Sequence, residues 1–325
     1  MRRVAALLAA ALLAAPIGCG GSGAEPGAPK GATLVLDFQP NAVHSGIYGA
    51  QANGYFRDEG LDLKIQEPSS TADSAKLLEA GRADFAVMDI NDFGIARERG
   101  LDLVAIAAIV QRPLASVIAR DGEKIRAPAD LAGKTIGVTG VPSDDAVLDT
   151  VLRSGGVDPS DVHRVTIGFN AVADLAAGKV DAATAFWNAE GVQLRQLGIP
   201  IREFRVDQFG APRYPELVVA TTPSSCPAAG RFMAALNRGY FTLGNHPLES
   251  LLSMFDQVPG LDHASQKAQF DALEAATSFA PARSTSPSPV LSQRATTAWV
   301  RWAGERGLVE SSSAAALMQG FAGCD

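Results

Sequence analysis

The sequence predicts an α/β protein built from two similar lobes with a ligand cleft between the lobes. From residue 33 onward, short apolar runs typical of buried strands alternate with helical spacing, the rhythm of parallel strands joined by crossover helices. One plan occurs twice: a helix, the spacing Leu-x-x-Gly-x-x-Asp, a strand and a polar loop run from Leu78 to Asp89 and from Leu175 to Asn188. Because ligands bind outside the carboxyl ends of strands in open sheets, both copies are expected to face one cleft.

The first lobe follows this rhythm from its first strand. Alternating apolar and polar residues at 61–65 mark a strand with one exposed face, and Gly81 and Gly100 stand where helices end in a left-handed conformation. The predicted elements are a strand at 32–37, a helix from 47 to about 59, a strand at 61–65, a helix at 71–80, a strand at 84–88, a ligand-facing loop at 89–92, a helix ending at 99 and a strand at 103–110.

A second α/β unit and a mostly helical carboxyl-terminal portion follow. The second unit has predicted strands at 116–119, 135–138, 162–167 and 182–186 and helices at 142–154 and 172–177. The rest has a strand at 217–221, helices at 228–243, 248–255, 266–276 and 292–304, and a Pro/Ser-rich connector at 281–289. Symmetry predicts a second crossing near 213–217, so that residues 33–112 and 216–325 form lobe 1 and residues 113–215 form lobe 2.

The amino terminus is typical of an export signal. Two arginines and a run of alanine and leucine lead to Cys19, and the apolar centre is too short to span a bilayer. A cysteine after a small residue resembles a bacterial lipoprotein signal, which predicts a signal at 1–18, lipidation of Cys19 and a flexible linker at 19–32. The mature chain would then be anchored outside the cytoplasmic membrane. Ordinary cleavage with an unlipidated thiol is the alternative.

Composition narrows the class of protein. With 47% apolar residues and a formal net charge of −7, the 325-residue chain is long enough for two cores and lacks the basic surface that nucleic acid requires. Cys226 and Cys324 remain as a pair that either forms a disulfide or stays as two buried thiols. The four histidines are far apart without zinc-site spacing. We expect a monomer without metal or cofactor.

Polar and flat side chains gather at the predicted strand ends. Asp37, Asn41 and His44 stand beside Phe38 and Tyr48, a combination that suits a planar, nitrogen-rich ligand. The alternative is that Asn41 only caps a helix and His44 is a satisfied surface histidine. A second ligand-facing position is predicted at the end of the strand at 84–88, at Met88 and Asp89.

Signatures of catalysis are missing from the sequence. The stretch 137–140 is too short for a phosphate loop and has no lysine, and Ser143 lacks the Gly-x-Ser-x-Gly context of a nucleophile. Single polar residues at strand ends are how binding proteins orient a ligand. The sequence therefore favours a binding protein over an enzyme.

Four segments carry a resemblance to a known family. They are residues 36–48, 54–62, 81–85 and 186–191, with the sequences LDFQPNAVHSGIY, GYFRDEGLD, GRADF and FWNAEG. They resemble the periplasmic-type substrate-binding proteins for thiamine pyrimidine precursors, a family related to fungal enzymes that make this pyrimidine. The resemblance implies a type II periplasmic-binding-protein fold, and a heterocyclic ligand delivered to the permease and ATPase subunits of an ABC importer.

The resemblance also implies roles for individual residues. It places hydrogen-bonding groups at Asn41 and His44 in lobe 1 and at Asn188 and Glu190 in lobe 2, with flat surfaces from Phe38, Tyr48 and Trp187. The alternatives are a helix-start carboxylate for Glu190 and a core aromatic for Trp187. Phe38 replaces a common tryptophan, and the cysteine cluster of the fungal synthases is absent. A pyrimidine-making or pyrimidine-modifying enzyme and a receptor for sulfonate, nitrate or riboflavin remain as other functions.

Overall fold

The computed structural model describes residues 29–70, 73–120, 125–276, 278–279, 290–310, 314–321 and 323–324. The predicted signal at 1–18, Cys19, most of the linker and the connector at 281–289 lie outside these residues. Of the helices in the described ranges, none is long and apolar enough to cross a membrane.

Ten strands and twelve helices make up the described chain. The strands are β1 Lys30–Val35, β2 Leu61–Gln66, β3 Phe85–Asp89, β4 Val104–Val110, β5 Ala115–Arg120, β6 Thr135–Val138, β7 His163–Thr166, β8 Ala182–Phe186, β9 Ile201–Arg205 and β10 Leu217–Thr221. The helices are α1 Ser45–Ala52, α2 Tyr55–Asp58, α3 Asp73–Glu79, α4 Ile90–Glu98, α5 Pro142–Ser154, α6 Ala171–Ala176, α7 Glu190–Gln196, α8 Cys226–Asn245, α9 Pro247–Gln257, α10 His263–Ala275, α11 Gln293–Glu305 and α12 Ala314–Gly320.

The strands form two five-stranded sheets of the same design. One sheet has the order β2-β1-β3-β10-β4 and the other the order β7-β6-β8-β5-β9. In each sheet four strands run in the same direction, and the strand that follows a crossing from the other sheet, β10 or β5, lies antiparallel between two of them. The predicted two-lobed α/β fold is confirmed.

The repeated Leu-x-x-Gly-x-x-Asp spacing has a structural cause. In lobe 1 the Asp84 carboxylate accepts a hydrogen bond from the Thr33 N–H at 2.8 Å, and the Asp84 N–H donates to the Thr33 carbonyl at 2.9 Å. Asp181 makes the same pair of bonds with Thr135 in lobe 2, at 2.8 and 2.9 Å. Asp84 therefore ties the loop before β3 to β1, and Asp181 ties the loop before β8 to β6.

The carboxyl-terminal helices complete lobe 1. Helix α8 packs closely on α1, because Gly46 and Gly239 let the two backbones meet, and the Tyr240 hydroxyl donates to the Val43 carbonyl at 2.7 Å. Cys226 and Cys324 form a disulfide with Cα atoms 5.3 Å apart, which ties the chain end to the start of α8.

Three local predictions differ from the structure. The helix expected from 47 to 59 is split into α1 and α2, because Gly54 takes a left-handed conformation at φ 73°. The loop expected at 89–92 is instead the end of β3 and the first turn of α4, with Asp89 as the N-cap. Strand β9 and helices α7 and α12 were not predicted from the sequence.

Two crossing segments connect the lobes. The chain leaves the first sheet after β4 through residues 111–114 and returns through residues 206–216 before β10. The two segments lie against each other, since the Glu216 carboxylate accepts hydrogen bonds from the N–H groups of Leu114 and Ala115.

Candidate functional site

A small cavity of about 90 Å³ lies between the lobes, at the carboxyl ends of β1, β3, β6 and β8. Both lobes contribute to its wall, as expected for a shared cleft. The lining residues are Asp37, Phe38, Ser74, Met88, Asp89, Asp92, Ala115, Ser116, Thr139, Val141, Ser143, Asp144, Val147, Gly168, Phe169, Ala171, Thr184, Ala185, Phe186 and Glu190.

Carboxyl groups dominate the polar part of this wall. Asp37, Asp89 and Asp92 come from lobe 1, and Asp144 and Glu190 come from lobe 2. Among the described residues that line the cavity there is no lysine, arginine or histidine. The cavity is therefore rich in hydrogen-bond acceptors and poor in positive charge.

Helix starts explain why several of these carboxyl groups are here. Asp89 caps α4 by accepting the Asn91 N–H at 2.6 Å, and Asp92 lies in the first turn of that helix. Asp144 lies in the first turn of α5, and Glu190 is the first residue of α7. A helix amino terminus carries partial positive charge and free N–H groups, so it favours a carboxylate beside it.

Burial shifts the proton affinity of these groups. Loss of solvent raises the pKa of Asp89 and Asp92 well above the usual range and, despite hydrogen bonds from Thr139, raises that of Asp144. Burial also raises the pKa of Glu190 to about 7, although its carboxylate accepts the Phe186 N–H at 3.1 Å. A ligand that donates hydrogen bonds or carries positive charge would relieve the cost of ionising these groups.

A histidine positions the carboxylate of Asp37. The Asn41 N–H donates to His44 Nδ1 at 3.2 Å, which leaves the His44 proton on Nε2, 2.8 Å from Asp37 Oδ1. His44 is fully buried, and Asn41 caps the short helix Ala42–His44 through a bond to the Val43 N–H. Asp37 faces the cavity, with His44 and Asn41 behind it.

Two aromatic rings meet across the cleft. Phe38 of lobe 1 and Phe169 of lobe 2 have ring centroids 4.6 Å apart at an interplanar angle of 81°, an edge-to-face pair. Both rings also line the cavity. The lobes are therefore in contact on this side of the cleft.

The structure brings four of the nine predicted ligand-binding residues to the cavity wall: Phe38, Met88, Asp89 and Glu190. The other five lie outside this wall, and their roles in ligand binding stay predictions. Asn41 and His44 form the support behind Asp37, and Tyr48 packs in the core of lobe 1.

Trp187 and Asn188 are not part of the cavity wall, and Trp187 lies beside the first crossing segment. The Trp187 ring is fully buried, its Nε1–H donates to the Pro113 carbonyl at 3.0 Å, and the Arg205 guanidinium lies 4.0 Å from the ring centroid. Asn188 is fully buried, and its side chain has no hydrogen-bond partner in the described part of the chain. Their roles in ligand binding stay predictions, because motif spacing does not show which way a side chain points.

Several wall residues were not predicted, including Asp92, Asp144 and Phe169. Asp92 falls within the segment expected to face ligand, and Asp144 follows Pro142 at a predicted helix start. Their positions in the predicted elements could therefore have identified both as wall residues. Phe169 has no such signal, because it lies in a turn before α6. Despite the many carboxyl groups, no cluster of three or more His, Cys, Asp or Glu in the described ranges could hold a metal ion.

Comparison with known proteins connects this chain to one family. A family model described as NMT1/THI5 like matches residues 41–250. A formylaminopyrimidine-binding protein of Halalkalibacterium halodurans is 34% identical over 67% of this chain and 68% of its own length. A putative thiamine biosynthesis protein of Haemophilus influenzae is 32% identical over 70% of this chain and 73% of its own length.

More distant matches include an enzyme and binding proteins. A Saccharomyces cerevisiae 4-amino-5-hydroxymethyl-2-methylpyrimidine phosphate synthase is 29% identical over 50% of this chain and 48% of its own length. The structure of an alkanesulfonate-binding protein from Xanthomonas axonopodis pv. citri, bound to MOPS, matches with a TM-score of 0.67 at 19% identity, covering 87% of this chain and 95% of that chain. At this identity the structural match shows the periplasmic-binding-protein fold, which confirms the fold implied by the sequence resemblance.

Proposed function

The chain belongs to the NMT1/THI5-like family, and from this premise we propose that it is an extracytoplasmic solute-binding protein that captures an aminopyrimidine precursor of thiamine for ABC import. The ligand is a hydroxymethyl- or aminomethyl-pyrimidine, or a closely related planar heterocycle. The observation that carries this proposal is the cavity between the lobes, with carboxyl groups on both sides and no basic side chain among its described lining residues.

The chemistry of an aminopyrimidine matches this wall. Its exocyclic amino group donates hydrogen bonds, and a protonated ring nitrogen can pair with a carboxylate in a charge-assisted bond. Glu190 suits this partner because its pKa of about 7 places it near the point of ionisation at neutral pH. Phe38, Met88 and Phe186 supply apolar surface for the ring.

The cavity chemistry argues against a sulfonate ligand, although a structural neighbour is an alkanesulfonate-binding protein. An anion needs basic side chains or free helix amino termini. Here Asp89 and Asp92 occupy the start of α4, Asp144 that of α5 and Glu190 that of α7. Negative charge on these carboxyl groups would oppose a sulfonate or a nitrate.

A synthase reaction is the second candidate, because several relatives are pyrimidine phosphate synthases. Their matches cover about half of this chain, whereas the binding-protein relative covers 67% of it. The described cavity wall holds hydroxyl and carboxyl groups but no lysine, histidine or cysteine. This wall supports capture of a ligand better than its synthesis.

Transport gives the proposed partners and location. Lipidation of Cys19 would tether the protein outside the cytoplasmic membrane through the linker predicted at 19–32. The closed, ligand-bound protein would then be recognised by a permease and its ATPase, with the binding protein acting as a monomer. Mass spectrometry of the purified membrane form would show a diacylglycerol adduct at Cys19.

Isothermal titration calorimetry tests the proposed ligand. We expect heat of binding with 4-amino-5-hydroxymethyl-2-methylpyrimidine or its aminomethyl analogue and none with taurine, nitrate or an alkanesulfonate. Glu190→Gln should weaken pyrimidine binding ten-fold or more, because a hydrogen bond to a charged group is worth about 1.5–3 kcal/mol. Glu249→Gln, the same change at an exposed position of α9, is the control and should bind as the wild type does. Heat with a sulfonate but with no pyrimidine would reject the proposal.

A further inference from the structure

Glu216 connects the two lobes through both its backbone and its side chain. Its N–H donates to the Val110 carbonyl at 3.0 Å, and its carbonyl accepts the Ile90 N–H at 2.9 Å, so the backbone belongs to lobe 1. Its Oε2 accepts the N–H groups of Leu114 and Ala115, the latter at 3.1 Å, where the first crossing segment enters lobe 2. The side chain is fully buried.

The carboxyl group of Glu216 has another acid as its neighbour. No N–H or hydroxyl group of the described residues bonds to Glu216 Oε1, and the side chains of Glu216 and Asp89 lie within hydrogen-bonding reach of each other. Two ionised carboxylates in contact and away from water would repel each other strongly, so one must hold a proton. Asp89 donates that proton to Glu216, since burial and the negative Glu216 raise the pKa of Asp89 well above its usual range.

Asp89 also lines the ligand cavity, and Ala115 lines it from the other lobe. A continuous chain of contacts therefore runs from the cavity wall to Asp89, to Glu216 and to the crossing segment of lobe 2. We propose that Glu216 is a positioning residue that couples occupation of the cleft to the arrangement of the crossing segments through a proton shared with Asp89. This inference rests on the proposed function only for the identity of the ligand.

The charged groups around Asp89 and Glu216 decide whether the pair gains or loses a proton when ligand binds. The groups that face the pair are Asp92 on α4, Asp144 on α5, the Tyr214 phenol, and Asp207, which is paired with Arg112 at 2.8 Å. With Asp207 neutralised by Arg112, the surroundings add no net positive charge to hold the pair ionised. A ligand N–H donor or cation at Asp89 supplies the positive partner that the unliganded pair lacks and allows both carboxylates to ionise, so binding releases the shared proton to solvent and affinity rises with pH.

Glu216→Gln tests the role of the shared proton without changing the shape of the side chain. The glutamine amide accepts from Leu114 and Ala115 on one side and donates to Asp89 on the other, but it holds no titratable proton. Glu249→Gln is the matched control on the surface of α9. Asp89→Asn is the second variant. It replaces the carboxyl group that carries the shared proton and leaves the Glu216 carboxylate bonded to the crossing segment.

The first measurement uses the full-length protein without ligand. Amide hydrogen exchange at Leu114 and Ala115 should be about five-fold faster in Glu216→Gln than in the wild type, because a neutral acceptor holds an N–H less strongly than a carboxylate does. Infrared difference spectra should show the band of a protonated carboxylic acid lost in Glu216→Gln and in Asp89→Asn. Unchanged exchange and an unchanged band would overturn the proposal, whatever the ligand is.

The second measurement uses 4-amino-5-hydroxymethyl-2-methylpyrimidine as the probe. Calorimetry in two buffers of different ionisation enthalpy gives the number of protons released on binding. We expect this number to fall in Glu216→Gln and in Asp89→Asn and to stay at the wild-type value in Glu249→Gln. A merely structural role would lower stability but leave the proton count unchanged, and that result would overturn the coupling. Absence of heat in the wild type would reject the proposed ligand, while the exchange and infrared results would still decide the role of Glu216.

Discussion

At the scale of the residue, Glu190 shows how one side chain serves both the fold and the site. It begins α7, where a carboxylate is favoured by the helix terminus, and it lines the cavity between the lobes. The structural and the ligand-binding interpretations of this residue are therefore compatible. Asp89 and Asp144 combine the two roles in the same way on α4 and α5.

We expect the raised pKa of Glu190 to make stability depend on pH. The group is protonated below its ordinary pKa of 4.5 in both the folded and the unfolded chain, and up to about 7 it keeps its proton only when folded. Its contribution is therefore fully present below pH 4.5 and is lost as pH rises to about 7, a loss of about 3 kcal/mol in the free energy of unfolding. Urea denaturation at pH 4 to 8 measures this slope.

Glu190→Gln isolates this residue from the other buried acids. The glutamine does not titrate, so the difference in unfolding free energy between variant and wild type should grow in favour of the variant as pH rises from 4.5 to 7. A difference that is constant over this range would show that Glu190 ionises normally. Glu249→Gln makes the same change at an exposed position and is the control.

Sequence position predicted some site residues and not others for a physical reason. Met88 and Asp89 end a buried strand and Glu190 begins a helix, so the sheet topology alone places them at the cleft. Tyr48 and Trp187 are close in sequence to residues of the cleft, but their rings are buried in the packed interior. The direction of a side chain depends on packing partners that are distant in sequence, which spacing does not show.

At the scale of the element, local signals predicted most strands and helices. The aspartates Asp84 and Asp181 mark equivalent positions in the two lobes, and they make the same bonds to the equivalent strands β1 and β6. Strand β9 escaped prediction because Arg202, Glu203 and Arg205 make it look like a polar surface segment. It is an edge strand, where charged residues are common and limit pairing with other chains.

The contact between α1 and α8 requires glycine at residue 239. A Cβ atom there would lie 2.2 Å from the Gly46 carbonyl oxygen and 2.6 Å from the Ala50 Cβ. We expect Gly239→Ala to lower the free energy of unfolding by about 1–3 kcal/mol, since the two helices would have to separate. Urea denaturation followed by circular dichroism measures the change.

Gly230 provides a matched control in the same helix. A Cβ at residue 230 meets no atom within 4 Å, so Gly230→Ala should raise stability by about 0.5–1 kcal/mol through the better helix propensity of alanine. Equal effects of the two substitutions would contradict the role given to the close contact of α1 and α8.

At the scale of the whole molecule, the two sheets of equal design explain the position of the site. Each lobe directs the carboxyl ends of its parallel strands at the other, and the cavity forms where these ends meet. The repeat in the sequence was enough to predict this arrangement. The degree of closure was not predictable, because it depends on contacts such as that of Phe38 with Phe169, which are 131 residues apart and lie in different lobes.

The Phe38–Phe169 contact should favour the closed state and slow the escape of ligand. An edge-to-face pair is worth about 0.5–1.5 kcal/mol, so its loss in Phe169→Ala should speed dissociation about 2- to 12-fold. Stopped-flow displacement of bound pyrimidine measures this rate. Phe241→Ala, at a phenylalanine that is 59% exposed on α8, removes the same group away from the cleft and should leave the rate unchanged. An unchanged rate in Phe169→Ala would mean that the ring pair does not hold the lobes together, and closure would then depend on the ligand and the crossing segments alone.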